Sequence, residues 1–194
     1  MIKQTQKRSI ETRAKLIRVA TEAIAANGHS ALRVEEVVKN AGVAKGTFFA
    51  HFKDKDALME LIIGAQINEY LDAAEAMTAP DDVDELITRM RPLMNFMTGE
   101  RYIFDVIVRH SGAAVKEEIG PIAQTFDRTI EIVSAWIAQG QFRKDVSEVL
   151  LAEGVQAFAV QAMALHFCAI NNQEEMHLRF KTYLQAWLTP TPTK

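Results

Sequence analysis

Cysteine occurs once in the 194 residues, at position 168, so no disulfide can close within the chain. Its neighbours are apolar, which suits a small buried side chain better than a reactive thiol. The five histidines, His29, His51, His110, His166 and His177, are too scattered to suggest a metal site. There is no Gly-x-Ser-x-Gly elbow, no paired-histidine helix and no Gly-rich loop followed by Lys-Ser/Thr. No catalytic residue, metal or cofactor is therefore expected, and the chain does not read as an enzyme. Internal repeats and low-complexity segments are missing, and no stretch alternates like a strand for long. The N-terminal MIKQTQKRS is polar and basic, without the charged-then-apolar order of an export leader, so a cytoplasmic protein is expected. Its short arm is expected to be mobile. One segment, 149–170, is long and mostly apolar, but Glu153, Gln156, Gln161 and His166 interrupt it, which argues against a membrane span.

What the chain does have is an uneven charge. Residues 1–56 carry eleven Lys and Arg against six Asp and Glu, a balance of +5, and the remainder carries eleven against nineteen, a balance of −8. A basic head suits a polyanion, and an acidic body discourages the rest of the surface from lying on it. Within the head, GHSALRVEEVVKNAGVAKGTFFAHFKDKDAL (28–58) reads as two short helices around a glycine turn. Val34, Val37 and Val38 bury one face of the first helix, Gly42 can take positive φ, and Val43 is an apolar plug. The second helix begins near Ala44, and Lys45-Gly46-Thr47 places a cation, bare backbone and a hydroxyl in its first turn. That is the arrangement of a recognition helix meeting base edges and phosphates.

Ala41, Gly42, Val43, Lys45, Gly46, Thr47, His51, Phe52, Lys53, Lys55 and Leu58 fall in order on the pattern IA-x-x-AGV-SKGTLYxHFxxKxxL, with Val37 and Val38 in place of Ile-Ala. The stretch resembles the N-terminal domain of TetR-family transcriptional regulators. The resemblance covers about the first quarter of the chain in detail. It implies a DNA-contacting set of Arg33, Ala44, Lys45, Gly46, Thr47, Phe49, His51 and Lys55. Lys45 is expected to read a base, Gly46 to permit close approach, Thr47 to touch a thymine methyl or a phosphate, and Arg33, His51 and Lys55 to grip the backbone. Three positions depart from the pattern: Arg33 stands where a capping Thr or Ser is usual, Ala44 replaces a serine, and Phe49 replaces a tyrosine. Each departure should weaken positioning rather than abolish binding.

The remainder is helical by periodicity. Helices are expected at 9–27, with Ile10, Ala14, Ile17, Ala20 and Ile24 as its face, then from Leu58 to about 77, capped by Asp54, and at 83–97, kinked or split at Pro92. Others follow at 101–110, 121–139, 146–170 and 173–188, the third of these thin with Gly154 and several alanines. The fold expected is all-α: an N-terminal three-helix bundle with the helix-turn-helix over residues 1–56, and a larger helical ligand-binding and dimerisation domain over 57–194. The resemblance further implies a small-molecule site among the middle helices. Candidates are Met94, Met97, Tyr102, Phe104, Ile107, His110, Phe126, Trp136, Phe158, Met163 and His166, with Met90, Phe167, Arg101 and Arg109 nearby. The reading is a homodimeric repressor, released from a near-palindromic DNA operator by a small apolar or amphipathic ligand. A ligand-binding helical protein with impaired DNA binding, and an activator recruited by protein contacts, are the alternatives.

Overall fold

The computed structural model describes residues 2–112, 119–171 and 173–189, with the side chains of 2–5 left aside. Among the described residues every regular element is helical: α1 (Ile2–Asn27), α2 (Val34–Ala41), α3 (Lys45–Phe49), α4 (Lys55–Glu75), α5 (Val83–Thr98), α6 (Arg101–His110), α7 (Pro121–Gln139), α8 (Glu148–His166) and α9 (Met176–Leu188). The first three helices form the head. α4 runs from the head into a body in which it packs on α5, α6 and α7, while α8 lies between α7 and α9.

Local chemistry sets most of the boundaries. Asp54, Asp82, Ser147 and Glu175 cap α4, α5, α8 and α9 by accepting the amides of Ala57, Glu85, Leu150 and Leu178. α5 is not split at Pro92. Thr88 and Pro92 are both exposed, so the Thr88 carbonyl that loses its donor has water available. α1 begins at Ile2, so the arm expected to be mobile is helical. The face assigned to α1 also shifts. Leu16, Val19, Ala20 and Ile24 are buried, whereas Ile10 is 65% exposed, because the N-terminal half of α1 extends past the helices it could pack on.

The expected thin helix is α8, and its thinness serves a partner in the same chain. Trp187 of α9 lies against Gly154 so closely that a Cβ there would sit 2.2 Å from the indole Nε1. That Nε1 donates to the Leu151 carbonyl at 3.0 Å. α8 is the one described helix long and apolar enough to cross a membrane, at mean hydropathy 1.3. Packing against α7 and α9 accounts for its inner face, where Leu151, Val155, Ala159 and Met163 are buried. Its outer face is not covered: Val149 is 53% and Leu150 49% exposed.

Candidate nucleic-acid interface and ligand cavity

The turn between α2 and α3 is built by Gly42. It sits at φ 64°, ψ 37°, its amide donates to Lys39, and the Val43 amide reaches back to Val38. These two bonds close the end of α2 in the pattern that needs a left-handed residue, and they aim α3 across α2. Phe48 and Phe52 are buried with ring centroids 5.4 Å apart, and the Arg13 guanidinium lies 5.1 Å from the Phe52 ring centre. One side of α3 is therefore anchored. The other presents Ala44, Lys45, Gly46 and Phe49 to solvent, with Thr47 and His51 half-buried at its margin.

Neither Arg33 nor Ala44 makes a side-chain cap, as their identities require. The Lys45 amine is tied to Glu35 of α2 at 2.6 Å, and this hydrogen bond holds the Glu35 carboxyl below the usual range. Both partners are exposed, so water screens the pair. Lys55 lies apart from α3, its amine 4.6 Å from the Tyr102 ring centre. Burial, followed by the nearby charge of Arg33, pushes the Lys55 amine below its ordinary value. The structure thus brings Ala44, Lys45, Gly46, Thr47 and Phe49 together on one short helix and sets Arg33 and Lys55 at the junction with the body.

That junction contains residues the sequence reading missed. Glu100, at the start of α6, accepts the His29 amide at 2.7 Å, His29 Nδ1 at 3.0 Å and the Ser30 amide at 2.9 Å. Burial would raise the Glu100 pKa, but these donors outweigh it and bring it down to about 2. His29 is itself buried, and its Nε2 pairs with the Gln66 side-chain amide of α4 at 2.9 Å. Beside this latch, Asp56 accepts the Tyr102 hydroxyl at 3.3 Å and pairs with Arg109. No spacing rule links residues 29, 66 and 100, so only the fold could assemble them.

The body holds a narrow apolar cavity in two lobes that share Met90, Leu93 and Thr129. The outer lobe, about 50 Å³, lies among α4, α5 and α7 and is lined by Tyr70, Leu71, Met77, Arg89 and Trp136 among others. The inner lobe, about 30 Å³, extends to α8 and is lined by Ile67, Met94, Met97, Phe126, Gln156 and Met163 among others. Of the candidate ligand residues, Met94, Met97, Phe126, Trp136 and Met163 line the cavity. The others lie elsewhere. Tyr102 belongs to the junction, Phe104 packs on Phe167, and Ile107 is buried core. Phe158 packs on Tyr183 and Trp187, and His110 Nδ1 lies 3.3 Å from Glu60 while its Nε2 is buried without a partner. His166 is on an open surface depression with Arg91, Asn95 and His177. Of the flanking residues, Arg109 pairs with Asp56, and Arg101 pairs with Asp105 and lies over Phe167. The contribution of α4, from Ile67, Tyr70 and Leu71, was not anticipated, because these residues line the cavity only once α4 is set against α5 and α7.

Residues 16–62 match the family model described as "Bacterial regulatory proteins, tetR family". The chain is 23% identical over 135 residues to the fatty acid metabolism regulator protein of Bacillus subtilis, covering 66% of this chain and 70% of that one. It is 28% identical over 86 residues to the HTH-type transcriptional regulator TtgR of Pseudomonas putida, where it spans only 41% of the relative's length and 44% of its own. Among solved structures it resembles Thermus thermophilus FadR, a TetR-family transcriptional repressor in complex with lauroyl-CoA, at TM-score 0.61 and 16% identity over 94% of this chain and 98% of that one. It also resembles reduced Escherichia coli NemR at TM-score 0.60 and 13% identity, over 92% and 98%. With the glycine-turned helix pair inside the matched segment and the same helical fold over nearly the whole chain, this protein belongs to the TetR family of DNA-binding transcriptional regulators, which are not enzymes.

Proposed function

We propose that the protein is a cytoplasmic homodimeric repressor whose two heads, residues 1–56, bind a near-palindromic operator and whose body, 57–194, releases it on taking up a small apolar or amphipathic ligand. The observation that carries this is the pairing of an anchored helix presenting Lys45 and Gly46 with an apolar cavity along α4, the helix that joins head to body. Lys45 supplies the base contact, Gly46 and Thr47 the close approach, and Arg33, His51 and Lys55 the phosphate grip.

Dimerisation is supported by the uncovered face of α8 and α9, where Val149, Leu150 and Leu178 are about half exposed. Paired with their symmetry mates, these helices form a four-helix interface that sets the heads about 34 Å apart, one turn of DNA. The ligand reading is supported by the lining: Met90, Met94, Met97 and Met163 are flexible enough to widen lobes that now have room for only a few waters. The relatives' names point the same way, since one regulates fatty acid metabolism and a structural neighbour holds lauroyl-CoA. A ligand that favours a head separation unlike the operator's then lowers DNA affinity.

Selection of sites from a random DNA pool at near-physiological salt tests the reading. One enriched palindrome supports it. No enrichment with the dimer intact favours the ligand-binding protein with an impaired head, a reading for which the uncapped start of α3 at Ala44 is the supporting observation.

A further inference from the structure

We infer that the cavity takes a linear amphipathic molecule with an anionic head seated on the Arg89 guanidinium and a chain running inward to Met97 and Phe126; this rests on the reading of the cavity as the effector site. Length comes from the lining. The α5 positions run from Arg89 to Met97, about 12 Å along the axis, and the α7 positions from Thr125 to Trp136, about 17 Å. The shared residues Met90, Leu93 and Thr129 join the lobes end to end, so the space is long and narrow rather than round.

The position of the head follows from where hydrogen-bond donors are free. In the inner lobe the Thr125 hydroxyl donates to the Ile122 carbonyl, Thr129 to the Thr125 carbonyl, and the Gln156 amide to the Phe126 carbonyl. Both hydroxyl protons and one of the two Gln156 N–H groups are spent on the backbone, and the remaining lining is methionine, aliphatic and aromatic. A polar head seated there would lose its water and gain little. The outer lobe ends at the one charged lining residue of either lobe, Arg89, whose side chain is only 15% exposed. Arg89 and Met77 also border an open depression with Thr78, Asp82, Asp84, Glu85 and Thr88, which makes this end the mouth.

The sign of the head follows from the same groups. Arg89 donates to Glu85 at 3.0 Å and to the Thr78 hydroxyl at 3.3 Å. Glu85 is half exposed, so exchanging it for a ligand oxygen gives up only a screened pair, and Glu85 keeps the Asp81 amide at 3.1 Å. The other carboxylates of the mouth are engaged: Asp84 with Lys181 at 2.6 Å, and Asp82 with the Glu85 amide at 2.9 Å. A cationic head would instead meet a largely covered guanidinium of like charge. Carboxylate and phosphate both fit the planar fork of arginine.

The test is calorimetric titration of the intact protein with four twelve-carbon amphiphiles below their micelle-forming concentrations: dodecanoate, dodecyl phosphate, dodecanol and dodecyltrimethylammonium. One or both anions should bind about tenfold or more tighter than dodecanol, with the cation weakest, and the stronger anion names the head. Arg89→Gln should collapse the difference between anions and dodecanol, and Arg89→Lys should restore part of it. Binding indifferent to the head, or tightest for the cation, overturns the Arg89 assignment while leaving the cavity as an effector site. Failure of all four to bind overturns the effector-site reading and this inference with it.

Discussion

Replacing Glu100 by Gln removes the centre of the latch between the head and α6. The carboxylate takes three hydrogen bonds, from the His29 amide, the Ser30 amide and the His29 ring. A glutamine offers one acceptor oxygen and turns its amine against a remaining donor. The depression of the Glu100 pKa from 4.5 to about 2 corresponds to at most ~3 kcal/mol, and partial exposure of the group reduces this to about 1–2 kcal/mol. Because the folded pKa is the lower one, this stability is present above about pH 4.5 and is lost as pH falls from there toward 2. Urea unfolding of the wild type and Glu100→Gln at pH 7 and pH 3 separates the contribution. The variant should be about 1–2 kcal/mol less stable at pH 7, and the gap should shrink by more than half at pH 3. An equal gap at both pH values would refute the claim that the charged carboxylate holds the latch.

Lys45→Ala should relax sequence preference by about 1–3 kcal/mol at one base pair, while Lys55→Ala should weaken all sequences alike and flatten the salt slope by about 1; competition titrations at several salt concentrations check both, and identical effects would sink the division of roles. Gly154→Ala sets a Cβ 2.2 Å from the Trp187 indole nitrogen, and overpacking of about 1–3 kcal/mol should exceed the helix-propensity gain of about 1, lowering the melting temperature and changing the tryptophan fluorescence. Leu150→Glu, on the uncovered face of α8, should shift the protein toward monomer in sedimentation velocity without loss of helical signal.

The head was readable because its determinants are local. Gly42, Val43, Phe48 and Phe52 act within a few residues of one another, and the turn they form needs no long-range contact to specify it. The cap at Asp54 was legible for the same reason. α1 was misread at its start because periodicity marks Ile10 as apolar but cannot say where packing partners end. The cavity was half visible. Its methionines announce themselves as adaptable, but Ile67, Tyr70 and Arg89 become lining only when α4, α5 and α7 are placed side by side. Phe158 falls outside the cavity because it shares a helix with Met163 yet projects from another face of it, onto Tyr183 and Trp187, whereas His166, three residues beyond Met163, ends the helix at a separate surface depression. The Glu100 latch was invisible, since it joins three segments separated by 37 and 71 positions.

The Lys45–Glu35 contact makes the head its own competitor. Glu35 holds the amine before any nucleic acid arrives, so each base or phosphate oxygen that takes Lys45 does so by exchange, and the gain is a difference between two partners rather than a new bond. Exchange penalises partners that offer a single loosely placed oxygen and spares those presenting two well-aimed acceptors, such as guanine. It also means that fewer counterions leave per contact than the number of basic side chains suggests, because one of those side chains brings its own anion. On the proposed assignment of Lys45 as the base contact, the acidic residue on α2 would thereby act as a weak filter against generic duplex, weak because both side chains are more than half exposed and water screens the pair.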